Sequence, residues 1–132
     1  MNRLYTVLRS AAFAGALAAL PLAAYADSAS EAVTAAQHAG YAASSADIGG
    51  VHTHLHHTLN CLVGPGGNGF DATNLNPCAN AGKGAIPDAT DAAKKKTLED
   101  AAAKARAGIA ETDYAKAKAD ASAVEAMLKP KM

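Results

Sequence analysis

From Val33 onward the less polar positions recur at 33, 37, 40, 44, 48, 51, 55, 59 and 62, in alternating steps of three and four. That spacing winds onto one side of a 3.6-residue helix. Ser28-Ala29-Ser30-Glu31 reads as a capping box, the Ser28 hydroxyl accepting from the amide three residues on while Glu31 reaches back. Gly64 and Pro65 supply a stop. The phase carries through Gly49-Gly50, which predicts one long helix over about 29–63, kinked at most. A competing reading breaks it near Asp47, because Ser44, Ser45, Asp47 and the two glycines are turn residues.

Residues 64–87 hold six Gly, three Pro and four Asn with no helical period, and are expected to form a loop. Asp71, Asn74 and Asn76 lack the order of acidic and amide residues of a calcium loop. Helix is expected again over about 88–128, with Asp88 and Asp91 favouring the positive end of its dipole. Leu98, Ala102, Ala105 and Ile109 form one stripe, and Tyr114, Ala117, Ala121, Val124 and Leu128 a second, shifted by about a residue. A bend or break near Thr112-Asp113 absorbs the shift. No βαβ or hairpin pattern occurs. The fold class is therefore all-α: a long antiparallel helical hairpin clasped by the loop, or a four-helix bundle if both helices fold back.

Composition adds a constraint on stability. Beyond residue 26 there are 27 alanines but only 18 Val, Ile, Leu, Met, Phe or Tyr, and no Trp. At about 25 cal/mol per Å² of apolar burial, such a chain builds a thin core and calls for a disulfide, close alanine contacts, a metal or a second copy. Two helices alone bury little, so a homodimer is the expectation.

The first 26 residues read as an export signal. Arg3 and Arg9 give a positive start, Ala11–Leu22 an apolar run, and Ala24-Tyr25-Ala26 a small-x-small cleavage site, leaving 27–132 as a single helical domain. The run is too short to span about 30 Å of hydrocarbon as an anchor, so no stable membrane insertion is expected after cleavage. The periplasm is the expected compartment. Cys61 and Cys78, bracketing 16 residues, are expected to pair in that oxidising space.

All five histidines fall between His38 and His57, and residues 27–82 contain no Lys or Arg. Neutral imidazoles on a surface without cations suit copper, nickel or zinc. On one continuous helix, His52 and His56 stand one turn apart and lead the site, with His54 and His57 as a second pair. His38 then lies about 21 Å along the axis from His52, too far to share an ion. Folding back near Asp47 instead places His38 opposite His57 and makes a three-histidine site.

Other functions find less support. Lys94, Lys95 and Lys96 interleave with Glu99 and Asp100, as on a solvated face, so no nucleic acid is expected. Haem lacks a C-x-x-C-H attachment motif, and nucleophile and phosphate-loop motifs are missing too, so an enzyme is not expected. The sequence thus points to a secreted, histidine-rich transition-metal-binding protein. The alternative is a non-catalytic envelope interaction protein whose helices self-associate, with the histidines as a pH switch.

Overall fold

A computed structural model describes residues 27–129; residues 1–26, expected from sequence to be a leader, lie outside them. The described residues form four helices: α1 (Ser28–Ser44), α2 (Ile48–Val63), α3 (Ala92–Ala110) and α4 (Tyr114–Leu128). Each packs against its two neighbours in the ring α1, α2, α3, α4, giving an up-down-up-down bundle. The all-α class and the four-helix alternative are both seen. None of these helices is long and apolar enough to cross a membrane.

The continuous helix over 29–63 gives way to a turn. Ser44 and Ser45 hydroxyls bond back to the carbonyls of Gly40 and Tyr41, and Ser45 turns extended at the end of α1. Asp47 then caps α2, its carboxylate accepting from the Gly50 amide at 2.8 Å. Local side-chain bonds thus outcompete the helix ladder where two glycines weaken it. The break at 111–113 follows the same logic, with Asp113 capping α4 by accepting from Lys116. Tyr114 joins the two turns, its hydroxyl donating to the Ser45 carbonyl at 2.7 Å.

The α1 stripe also changes face. Val33 is 45% exposed, and the buried positions are Ala32, Ala35, Ala36, Ala39 and Ala42. In a helix of alanines one valine carries most of the apparent phase, and here it points outward. The stripes of α2, α3 and α4 hold at Val51, Leu55, Leu59, Leu62, Leu98, Ala102, Ala105, Ala117, Ala121, Val124 and Leu128. The buried cluster joins Val51, Leu55, Leu59 and Leu62 of α2 to buried alanines of α1, α3 and α4. Four helices of one chain, rather than two, share this core.

The expected capping box is replaced as well. Asp27 caps α1 through the Ala29 amide. Ser28 and Glu31 reach instead to the loop, Ser28 Oγ donating to the Ala85 carbonyl at 2.7 Å and Glu31 Oε1 accepting from the Gly84 amide at 3.0 Å. The loop runs farther than expected, to Asp91, which caps α3, while Asp88 accepts from the Lys83 amide within the loop. A Cys61–Cys78 disulfide closes it, with a Cα–Cα distance of 5.1 Å. In the chain-entropy description a link of this span contributes about 3 kcal/mol. Gly64, at φ 67°, ends α2 where any Cβ would strike the Lys83 carbonyl, so glycine is required there.

The buried Asn60 fixes the loop's first half. Its amide nitrogen faces the carbonyls of Asp71, Asn74 and Leu75, and its oxygen accepts from the Asp71 amide at 2.9 Å. The disulfide and Asn60 together hold a Gly/Pro/Asn-rich segment with little apolar surface of its own.

Candidate metal centre

The turn at Ser45–Asp47 determines which imidazoles meet. His38 and His54 are equidistant in sequence from Ala46, so antiparallel α1 and α2 bring them face to face. His57 follows His54 by three residues on α2 and joins the same face. Each of the three offers one ring nitrogen, and these nitrogens lie within 4.8 Å of one another. Ring centroids are 5.6 Å apart for His38 and His54, 5.1 Å for His38 and His57, and 5.4 Å for His54 and His57.

The Nδ1 atoms of His38 and His54 lie 3.4 Å apart. That is long for a hydrogen bond from a ring nitrogen. It matches the separation of two nitrogens each about 2.0–2.1 Å from one ion at an angle of about 110°. His57 Nδ1 is buried and has no hydrogen-bond partner among the described residues, as is also the case for His56 Nδ1. A buried lone pair or N–H left unpaired carries a desolvation cost that a ligand would relieve.

Burial pushes the His38 imidazole below its ordinary pKa, and the neighbouring rings of His57 and His54 push it further down. His57 is lowered in the same way, first by burial and then by His54 and His56. Both therefore favour the neutral form that binds metals. No Lys or Arg in residues 27–82 competes with an incoming cation.

Supporting contacts hold the two helices in register. Thr58 is fully buried between them, its hydroxyl donating to the His54 carbonyl at 2.9 Å and lying 3.3 Å from the Ala35 carbonyl. Ala35, Ala39 and Ala42 on α1 are fully buried, small residues that allow close helix approach. The half-exposed Tyr41 lies edge-on to His38 and His54, with centroid distances of 5.4 and 5.5 Å. It borders the cluster on its solvent side.

His52 and His56, the pair expected to lead the site, are placed elsewhere. A ring nitrogen of His52 pairs with the Glu111 carbonyl at 2.9 Å, tying the start of α2 to the α3–α4 turn. His56 Nδ1 sits 3.6 Å from Asp71 Oδ2 on the loop. Asp71 is held below the usual carboxylate range, chiefly by hydrogen bonds from Thr73 and Asn74, with a smaller contribution from His56. The structure thus divides five clustered histidines into a three-member group between α1 and α2 and two single contacts. Sequence spacing missed Thr58 and Tyr41; their signal was the distance of Thr58 from the turn and the i, i+3 step from His38 to Tyr41, which acquire meaning only once the fold-back is known.

Comparison with protein-family models, with characterised proteins and with solved structures finds no match to this chain. The residues themselves carry the functional argument.

Proposed function

We propose that this protein binds one transition-metal ion through His38, His54 and His57 and serves in metal handling in the periplasm. The observation that carries this reading is the convergence of three half-buried imidazole nitrogens from two helices. The 3.4 Å separation of His38 Nδ1 and His54 Nδ1 is compatible with two imidazoles on one ion, and Zn(II), which imidazoles hold in tetrahedral sites, is the probe ion. Three protein ligands leave a fourth position, and the exposed edge of Tyr41 puts that position near solvent, as suits an ion that is to be passed on. The groove between the disulfide loop and α3 is lined by no histidine, so the three imidazoles stand apart from it. Export is supported by the leader motif and by the disulfide, which fits an oxidising compartment.

The test is equilibrium dialysis of untagged protein against Zn(II), with bound metal counted by elemental analysis. Wild type and the His52→Ala/His56→Ala variant are expected to hold one ion per chain. His54→Ala and His38→Ala are expected to lose it, with correct folding checked by circular dichroism. Retention of stoichiometric zinc in His54→Ala would refute the assignment.

A further inference from the structure

We propose that the groove between the disulfide loop and α3 is a second binding site, for a small molecule that joins an apolar body to a carboxylate. It is independent of the metal site and shares no residue with it. The groove has a volume of about 780 Å³, within the range of pockets that hold small organic ligands.

Its walls divide by chemistry. Val63, Ile86 and Ala102, with Pro65 and Pro87, give an apolar floor. Gly66 and Gly67 form a rim without side chains, so a ligand can approach the backbone closely. Lys83, Lys95 and Arg106 line the same groove against a single carboxylate, Glu99. None of these three cations forms an ion pair among the described residues; the same is true of Lys94, Lys116 and Lys118 outside the groove, so it is the convergence of the three on one apolar surface that marks this place. In a chain whose formal charge sums to zero, this groove gathers unpaired positive charge around apolar surface. Charge complementarity therefore selects an anion, and the floor selects one with a hydrocarbon or aromatic body.

Arg106 is the anchor the geometry favours. One of its guanidinium nitrogens, Nη1, donates to the Asn68 carbonyl at 3.2 Å, which holds the side chain against the loop and leaves its other N–H groups to take a carboxylate. Glu99 lies one helical turn from Lys95 and seven residues from Arg106, so its repulsion falls on the Lys95 end. The head group accordingly sits at Arg106 and the apolar body runs along Val63, Ile86 and Ala102. Lys95 and Arg106 are about 16 Å apart along the helix axis, room for a chain of about ten carbons.

The probe is decanoate, titrated below its micelle concentration into the disulfide-bonded protein by calorimetry, with decyltrimethylammonium as the apolar cation of matched length. Decanoate is expected to bind one per chain and the cation not to bind. Arg106→Gln is expected to weaken decanoate by about tenfold, with partial recovery in Arg106→Lys. Gly66→Phe fills the mouth at a position where an added Cβ meets nothing within 4 Å, and is expected to abolish binding without unfolding the chain. Absence of decanoate binding to wild type, equal binding of the cation, or undiminished affinity in both Arg106→Gln and Gly66→Phe would overturn the proposal.

Discussion

Replacing Asn60 by alanine tests how a loop without a core of its own is held. Asn60 is fully buried, and its amide reaches three loop carbonyls at 2.9 to 3.3 Å while its oxygen takes the Asp71 amide at 2.9 Å. Two N–H donors and one acceptor satisfy at most three bonds well, each contributing about 1 kcal/mol net. The loop groups are partly accessible, so water re-satisfies some of them after truncation, and the loss stays near this sum rather than above it. Asn60→Ala is therefore expected to cost about 3 kcal/mol, a large fraction of a small domain's stability. That corresponds to a Tm lower by about 12–24 °C. Guanidinium denaturation with the disulfide intact measures it, and an unchanged m-value shows that the native fold persists. Asn60→Asp keeps one acceptor but sets a second oxygen against the carbonyls, so it is expected to be at least as damaging at neutral pH. A cost below about 1 kcal/mol for alanine, or a neutral aspartate, would refute the role given to this side chain.

The metal-free protein should lose stability as pH falls below about 6.5, because His38 and His57 accept protons in the unfolded chain at that pH but only at lower pH when folded. Between the two values the unfolded state binds more protons, so the loss grows until the lowered pKa is reached. His38→Gln/His57→Gln should flatten this slope in denaturant titrations run with a chelator, and an unaltered slope would contradict the assignment. Glu31 has the opposite sign. Burial raises its carboxyl pKa, and Asp88 and Asp27 add to the rise against the opposing bond from Gly84, so its favourable contribution is lost as pH climbs through the raised value. Glu31→Gln should be more stable than wild type at neutral pH, with the difference vanishing below the ordinary glutamate range; equal stability at neutral pH would count against a buried charge there.

Much of the bundle was legible in the sequence because leucines and valines are scarce and therefore informative. On α2 they mark the buried side at Val51, Leu55, Leu59 and Leu62, and on α3 and α4 the same reading holds at Leu98, Val124 and Leu128. Alpha-1 failed because alanine occupies both its faces, so Val33 set the apparent phase and pointed outward. The turn at Ser45–Asp47 was harder to read because the spacing of apolar residues continues across it. The deciding interaction, Asp47 on the Gly50 amide, is local polar bonding that periodicity does not register. That same turn determines the site. A straight helix groups His52 with His56, whereas the fold-back selects His38, His54 and His57. The Ser28 and Glu31 contacts were misassigned for a related reason: both residues suit a capping box, and only the packed loop offers Ala85 and Gly84 as better partners.

The central claim is most directly tested by long-range nitrogen NMR of the histidine rings during titration with Zn(II), which reports each imidazole separately. One equivalent of zinc is expected to move one ring nitrogen each of His38, His54 and His57 to a metal-bound position, while His52 stays on its carbonyl and His56 near Asp71. Saturation with His52 or His56 shifted and His38 unchanged would contradict the account.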